Sequence, residues 1–97
     1  MIRTLTGTVT HHLSSGIVVA VNGVGYLVTV PARAVPVVGT PIELFTYHHI
    51  REDTQALFGF GSIEELQTFE ALLTVSGIGP KLAMAIMGAA NPVEIAQ

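Results

Sequence analysis

The sequence predicts an α+β fold, mainly β and then α: a small five-stranded barrel followed by short helices joined through a hairpin loop. Two observations predict it. From Ile2 to Phe60, apolar and polar residues alternate in runs rich in Val, Thr, Ile and Tyr, the period of half-buried strands. At Gly61-Ser62 the period becomes helical, with Leu66, Phe69, Leu72 and Leu73 on one face. Length sets the scale. Ninety-seven residues make one ordinary domain or two very small ones, which leaves no room for a multidomain enzyme.

Taken in order, the alternation predicts strands near 2–12, 16–21, 25–31, 41–50 and 55–60. Asn22-Gly23 separates two of these runs and is a turn signal, because both residues tolerate positive φ. Pro31, Pro36, Gly39 and Pro41 mark a long connection unsuited to sheet. Five short antiparallel strands in so few residues suggest closure into a barrel, which removes exposed edges. An open meander covered by a partner is the alternative at this point.

The helical part opens at Ser62-Ile63-Glu64-Glu65, a capping box with Ser62 as N-cap and Glu65 three residues on. Ser76-Gly77-Ile78-Gly79 ends that helix, and Pro80 suits the first position of the next, which is expected to run from Lys81 to Met87 and stop at Gly88. Asn91-Pro92-Val93-Glu94 repeats the capping pattern five residues before Gln97, so a third helix is expected to begin just as the chain ends. Short helices are marginal alone, and the sequence therefore reads as a piece of a longer protein.

Composition excludes several classes. Charged residues are 11%, with four basic (Arg3, Arg33, Arg51, Lys81) and seven acidic side chains and a formal net charge of -3, so neither a basic nucleic-acid arm nor an acidic tail is present. The hydrophobic fraction of 49% is high for so small a chain and predicts that some apolar surface lies at a subunit interface. The longest clean apolar stretch, Leu82 to Ala90, is too short for a membrane span. There is no cysteine, hence no disulfide, thiolate metal site or cysteine nucleophile. No secretory signal pattern opens the chain, and a cytoplasmic protein is expected.

The most informative segment is Leu73-Thr74-Val75-Ser76-Gly77-Ile78-Gly79-Pro80-Lys81-Leu82-Ala83, a helix-hairpin-helix pattern. Glycines let the backbone turn with its N–H groups pointing outward at a helix N-terminus, where the dipole and free amides suit a phosphate. Positive φ is expected at Gly79, and Lys81 adds a mobile charge beside the loop. A plain helix cap followed by a tight turn would need only one glycine. The second glycine, Pro80-Lys81, and small Ala83 where two helices must approach favour the phosphate reading.

Other chemistry finds little support. Leu82 stands where a dinucleotide fingerprint needs its third glycine, Asn22-Gly23-Val24-Gly25 leads into a strand, and no Gly-Lys-Ser/Thr occurs for a P-loop. No nucleotide hydrolysis and no cofactor is expected. Adjacent strand residues face opposite ways, so neither His11-His12 nor His48-His49 can chelate one ion by itself, and they read as ordinary polar strand residues rather than a metal site. Asp53 is the only aspartate, and no serine sits in a nucleophile elbow. Arg51-Glu52-Asp53 is a dense charge cluster at a turn between strands, and an acidic loop tip is usually just solvated.

Several blocks in the same order resemble the RuvA family, the Holliday-junction-binding subunits of bacterial RuvAB branch-migration complexes. These are Met1-Ile2, Gly7, Val21 to Tyr26, Val30-Pro31, Arg51-Glu52-Asp53 with Gln55, Leu57 to Phe60, and Gly77 to Ala83. The resemblance implies an OB-type barrel over 1–61 and the start of a truncated helix-hairpin-helix domain over 62–97. It implies recombination and repair as the setting, and a homotetramer that holds a four-way DNA junction open and flat. The subunit would not be an enzyme by itself: the RuvB ATPase drives branch migration, and the RuvC resolvase is admitted as a further partner. By position, Glu52 and Asp53 match the family's acidic pin, which reverses the solvated-tip reading. Ser76, Gly77, Ile78, Gly79 and Lys81 match its first phosphate-binding hairpin. The family's second hairpin and its RuvB-binding domain would lie beyond Gln97, so this chain is not expected to recruit the motor. Residues 61–97 carry Lys81 against Glu64, Glu65, Glu70 and Glu94, so the half matched to DNA binding is net acidic. A protein-assembly module without DNA binding of its own is the alternative function.

Overall fold

The computed structural model describes residues 1–89. Five strands, β1 (Thr4–Leu13), β2 (Gly16–Val21), β3 (Val24–Thr29), β4 (Pro41–Arg51) and β5 (Thr54–Phe60), precede helices α1 (Ile63–Leu73) and α2 (Pro80–Ala89). The strands close into a barrel in the order β1-β2-β3-β5-β4. Closure settles the choice between barrel and meander and matches the OB-type expectation. The helix expected from Asn91 lies outside the described residues.

One feature departs from the all-antiparallel expectation: β3 and β5 pair in parallel, through Val28–Leu57 and Thr29–Phe58. Parity requires it. Strands that alternate direction around a ring of odd number must place one like-directed pair side by side. The other four pairings are antiparallel.

Strand ends follow local chemistry. The β2–β3 turn has φ of 50° at Asn22 and 85° at Gly23, as the turn signal required. β3 stops at Thr29 rather than residue 31, because Pro31 has no N–H for a ladder and instead opens a short 3-10 turn at Ala32–Ala34. Pro41 is tolerated as the first residue of β4. β1 begins at Thr4 rather than residue 2, yet Ile2 and Arg3 still engage β4: the Thr46 hydroxyl donates to the Ile2 carbonyl at 2.8 Å and the Thr46 amide to the Arg3 carbonyl at 2.8 Å. These bonds satisfy Thr46, a fully buried polar side chain.

Two cores share one strand. Leu5, Val9, Ile17, Val19, Val28, Leu44 and Leu57 fill the barrel. Phe58, Phe60, Leu66, Phe69, Ala83, Met84 and Met87 form a second core between the outside of β4–β5 and the helices. β5 serves both because successive side chains leave opposite faces: Leu57 enters the barrel, while Phe58 and Phe60 meet Phe69 of α1 at ring separations of 5.4 and 5.0 Å. Tyr47 of β4 meets the same ring edge-on at 5.5 Å.

The expected N-cap forms, with the Glu65 amide donating to Ser62 Oγ at 3.2 Å and the Ser62 hydroxyl reaching the Glu65 carboxylate at 3.3 Å. α2 does not stop at Gly88 but continues to Ala89. At Gly88 the helix lies against the 3-10 turn, where an added Cβ would stand 3.5 Å from the Ala32 nitrogen. Packing there outweighs the weak helix propensity of glycine.

Candidate nucleic-acid interface

The loop between α1 and α2 is built for exposed amides. Thr74 caps α1 with its amide on the Ala71 carbonyl, Val75 bonds back to Leu72, and Ile78 bonds back to Val75, folding the loop tightly on the helix end. Ile78 tucks its side chain against the second core. Gly77 takes φ of 88°, the left-handed value that favours glycine. This corrects the expectation that Gly79 would hold the positive φ: the chain reverses one step after Ser76, and Gly79 is already aligned for α2. At both glycines an added Cβ would meet nothing within 4 Å. Their outer side is open.

The first bond of α2 runs from the Ala83 amide to the Gly79 carbonyl. Among the described residues, the amides of Gly77, Gly79, Lys81 and Leu82 have no protein partner, the ordinary condition of a helix N-terminus. Ser76, Gly77, Gly79 and Lys81 are exposed, whereas Ala83 is fully buried where the two helices approach. The open amides lie at the positive end of the α2 dipole, which suits an anion. Lys81, one step into α2, lines a separate pocket with Ser14, Ser15, Thr29, Phe58 and Met84.

Glu52 and Asp53 form the two-residue turn between β4 and β5, flanked by the Arg51–Thr54 pair, and both are exposed. Neither joins an ion pair among the described residues. The structure places these acids on the exposed β4–β5 turn, directly after Arg51.

Between hairpin and turn lies an arrangement the sequence reading missed. Tyr47, His49 and Arg51 alternate on one face of β4, and with Ile78, Gly79 and Pro80 they line a cleft of about 190 Å³. Arg51 Nε donates to His49 Nε2 at 2.9 Å, and the His49 ring stacks 6.1 Å from that of Tyr47. The period-2 spacing of 47, 49 and 51 was the available signal. Proximity to Gly79 was not, since it depends on how the helices pack. His48 turns the other way, taking the Ile2 amide on Nδ1 at 3.2 Å and meeting Gln55 Oε1 through Nε2 at 3.0 Å. His11 and His12 also have separate partners, Thr10 and the Pro36 carbonyl.

The acidic balance of the helical part is softened by Arg3, whose guanidinium donates to the Glu70 carboxylate at 2.9 Å. That hydrogen bond and the charge behind it raise the Arg3 pKa.

The family model described as the RuvA N terminal domain matches residues 1–59. The chain belongs to the RuvA N-terminal domain family. Relatives bear the name Holliday junction branch migration complex subunit RuvA. That of Chlorobaculum tepidum is 49% identical over 81 residues, covering 80% of this chain and 40% of the relative. That of Chromobacterium violaceum is 46% identical over 99 residues, covering 99% and 50%. That of Tropheryma whipplei is 40% identical over 96 residues, covering 99% and 50%. The chain spans about half the length of these RuvA relatives or less. The RuvA match covers the barrel by family model, and these RuvA relatives extend it into the helices. Among the described residues no helix is long and apolar enough to cross a membrane.

Proposed function

We propose that this chain contributes the structure-specific DNA-binding surface of a RuvA subunit, holding four-way junctions for branch migration. The observation that carries the reading is the set of partner-free amides at Gly77, Gly79, Lys81 and Leu82 on a loop with open space outside both glycines. Ser76, Gly77, Ile78, Gly79 and Lys81 would hold backbone phosphates. Glu52 and Asp53 would act as a pin that repels them. The relatives' shared name supports the junction as ligand and a branch-migration complex as the setting.

In this reading the barrel is the first domain, near 1–61, and the helices begin the second, from residue 62. The subunit works without catalytic groups of its own, as a cytoplasmic homotetramer, with RuvB as the motor and RuvC as a further partner of the whole protein. Assembly is supported by large apolar side chains left exposed, among them Val24, Leu27, Val37 and Ile50. A tetramer repeats each weak phosphate site four times, so effective concentration compensates for low charge.

Gel shift at low salt tests the proposal, with a four-way junction and a duplex of the same sequence. Preferential retention of the junction is expected. Equal or absent binding of both would leave the protein-assembly reading in its place.

A further inference from the structure

The cleft between β4 and the hairpin has a property that the hairpin alone lacks. It sets a planar guanidinium in the same cleft as Gly79. Among the described residues Arg51 has no carboxylate partner, even though Glu52 and Asp53 follow it directly. Its one hydrogen bond is through Nε to His49, and its two terminal nitrogens are left without a protein partner. Because Arg51 is the donor, His49 accepts on Nε2 and carries its proton on Nδ1. The ring is held between Tyr47, stacked at 6.1 Å, and Phe58, edge-on at 6.5 Å. A stacked acceptor of this kind fixes the direction of the guanidinium and reduces the side-chain entropy lost on binding.

We propose that Arg51 is a second phosphodiester contact. In this arrangement the DNA backbone runs from the hairpin amides through the cleft to the Arg51 fork and stops there. The inference rests on the hairpin reading above and extends it. Three observations support it together: Arg51 and Gly79 line one cleft, the terminal guanidinium nitrogens are unengaged, and His49 orients them. A guanidinium fork matches two phosphate oxygens at once. One residue further on, the sign of the surface reverses at Glu52. Attraction at Arg51 and repulsion at Glu52 and Asp53 therefore mark the last phosphate before the junction centre. His49 is a positioning residue in this scheme and touches no DNA itself.

The test uses the full chain, a labelled four-way junction, a matching duplex and a series of salt concentrations. Arg51→Gln should weaken both ligands about tenfold at low salt and lower the slope of log K against log salt by about 0.9 per site used. Arg51→Lys should keep the slope yet recover only part of the affinity, since it keeps the charge and loses the fork. His49→Phe should weaken binding without changing the slope, and His49→Gln, which restores an acceptor, should recover it. A purely structural role for His49 would instead lower the melting temperature in step with affinity. If Arg51→Gln binds with wild-type affinity and slope while Lys81→Ala weakens, the second contact is overturned and the hairpin reading stands. If the wild-type chain retains neither ligand, both readings fall together.

Discussion

Arg3 and Glu70 join the two parts of the chain: the guanidinium just before β1 donates to a carboxylate on α1 across 2.9 Å, the only ion pair among the described residues. Both side chains are partly exposed, at 50% and 33%. Exposed pairs are worth about 0.2–1 kcal/mol and weaken in salt. Arg3→Ala should therefore cost at most about 1 kcal/mol in denaturant melts at low salt, and less in concentrated salt. A larger loss would mean that Arg3 supports more than this pair.

The second core predicts a far greater effect. Phe69 is fully buried against Phe58, Phe60 and Tyr47. Phe69→Ala should destabilise by about 3–5 kcal/mol, a large share of the ~5–15 kcal/mol of a typical domain. Chemical denaturation followed by near-ultraviolet circular dichroism would measure it. A loss under about 1 kcal/mol would contradict the packing of α1 on the barrel.

The two hairpin glycines should separate stability from binding. Gly77→Ala forces a Cβ into left-handed backbone and should cost about 1–2 kcal/mol, with binding reduced as the loop distorts. Gly79→Val has open space and no positive φ, so its thermal stability should be near wild type. Junction affinity should nevertheless fall, because the branched side chain occupies the space a phosphate would take. Equal affinity for wild type and Gly79→Val would remove the hairpin from the interface.

Neutralising the β4–β5 turn should change selectivity rather than fold. Four copies around an axis would gather about eight carboxylates at its centre, and these penalise a duplex crossing there more than four separated arms. With Glu52→Gln and Asp53→Asn combined, duplex affinity should rise more than junction affinity in fluorescence titrations. The difference should shrink in salt as the screening length falls from ~10 Å at 0.1 M to ~3 Å at 1 M. An unchanged ratio at low salt would make these acids an ordinary solvated turn.

Assembly is checked by mass. Light scattering should report a tetramer at high micromolar concentration, and a strictly monomeric species would contradict the role given to the exposed apolar residues.

The sequence made the strands legible wherever turn chemistry and alternation agreed, as at Asn22-Gly23 between β2 and β3. It made the cap at Ser62 and the buried face at Leu66 and Phe69 legible for the same reason, since these are local signals. The parallel β3–β5 pair was not legible, because it follows from ring parity and not from any residue. Local reasoning also misplaced the positive φ on Gly79: two glycines flank Ile78, and only the bonds that tie Val75 and Ile78 to the end of α1 decide which one reverses the chain. Gly77 and Gly79 were readable as the loop between two helices. The companionship of Arg51 with Gly79 was hidden because residues so far apart meet only through the packing of the second core.

Gly59 gives the barrel a lock on its pairing frame. It lies on the barrel side of β5 with Leu57, and a Cβ there would stand 2.7 Å from Val28 Cγ1 and 3.0 Å from Leu44 Cδ1. A slip of one residue along β4 would turn Phe58 and Phe60 inward toward that gap and Leu57 outward to the helices. No aromatic ring fits where even a methyl group does not. The smallest residue in β5 thus admits one alignment of the strand, and with it one orientation of the aromatic platform on which the helices and their hairpin rest.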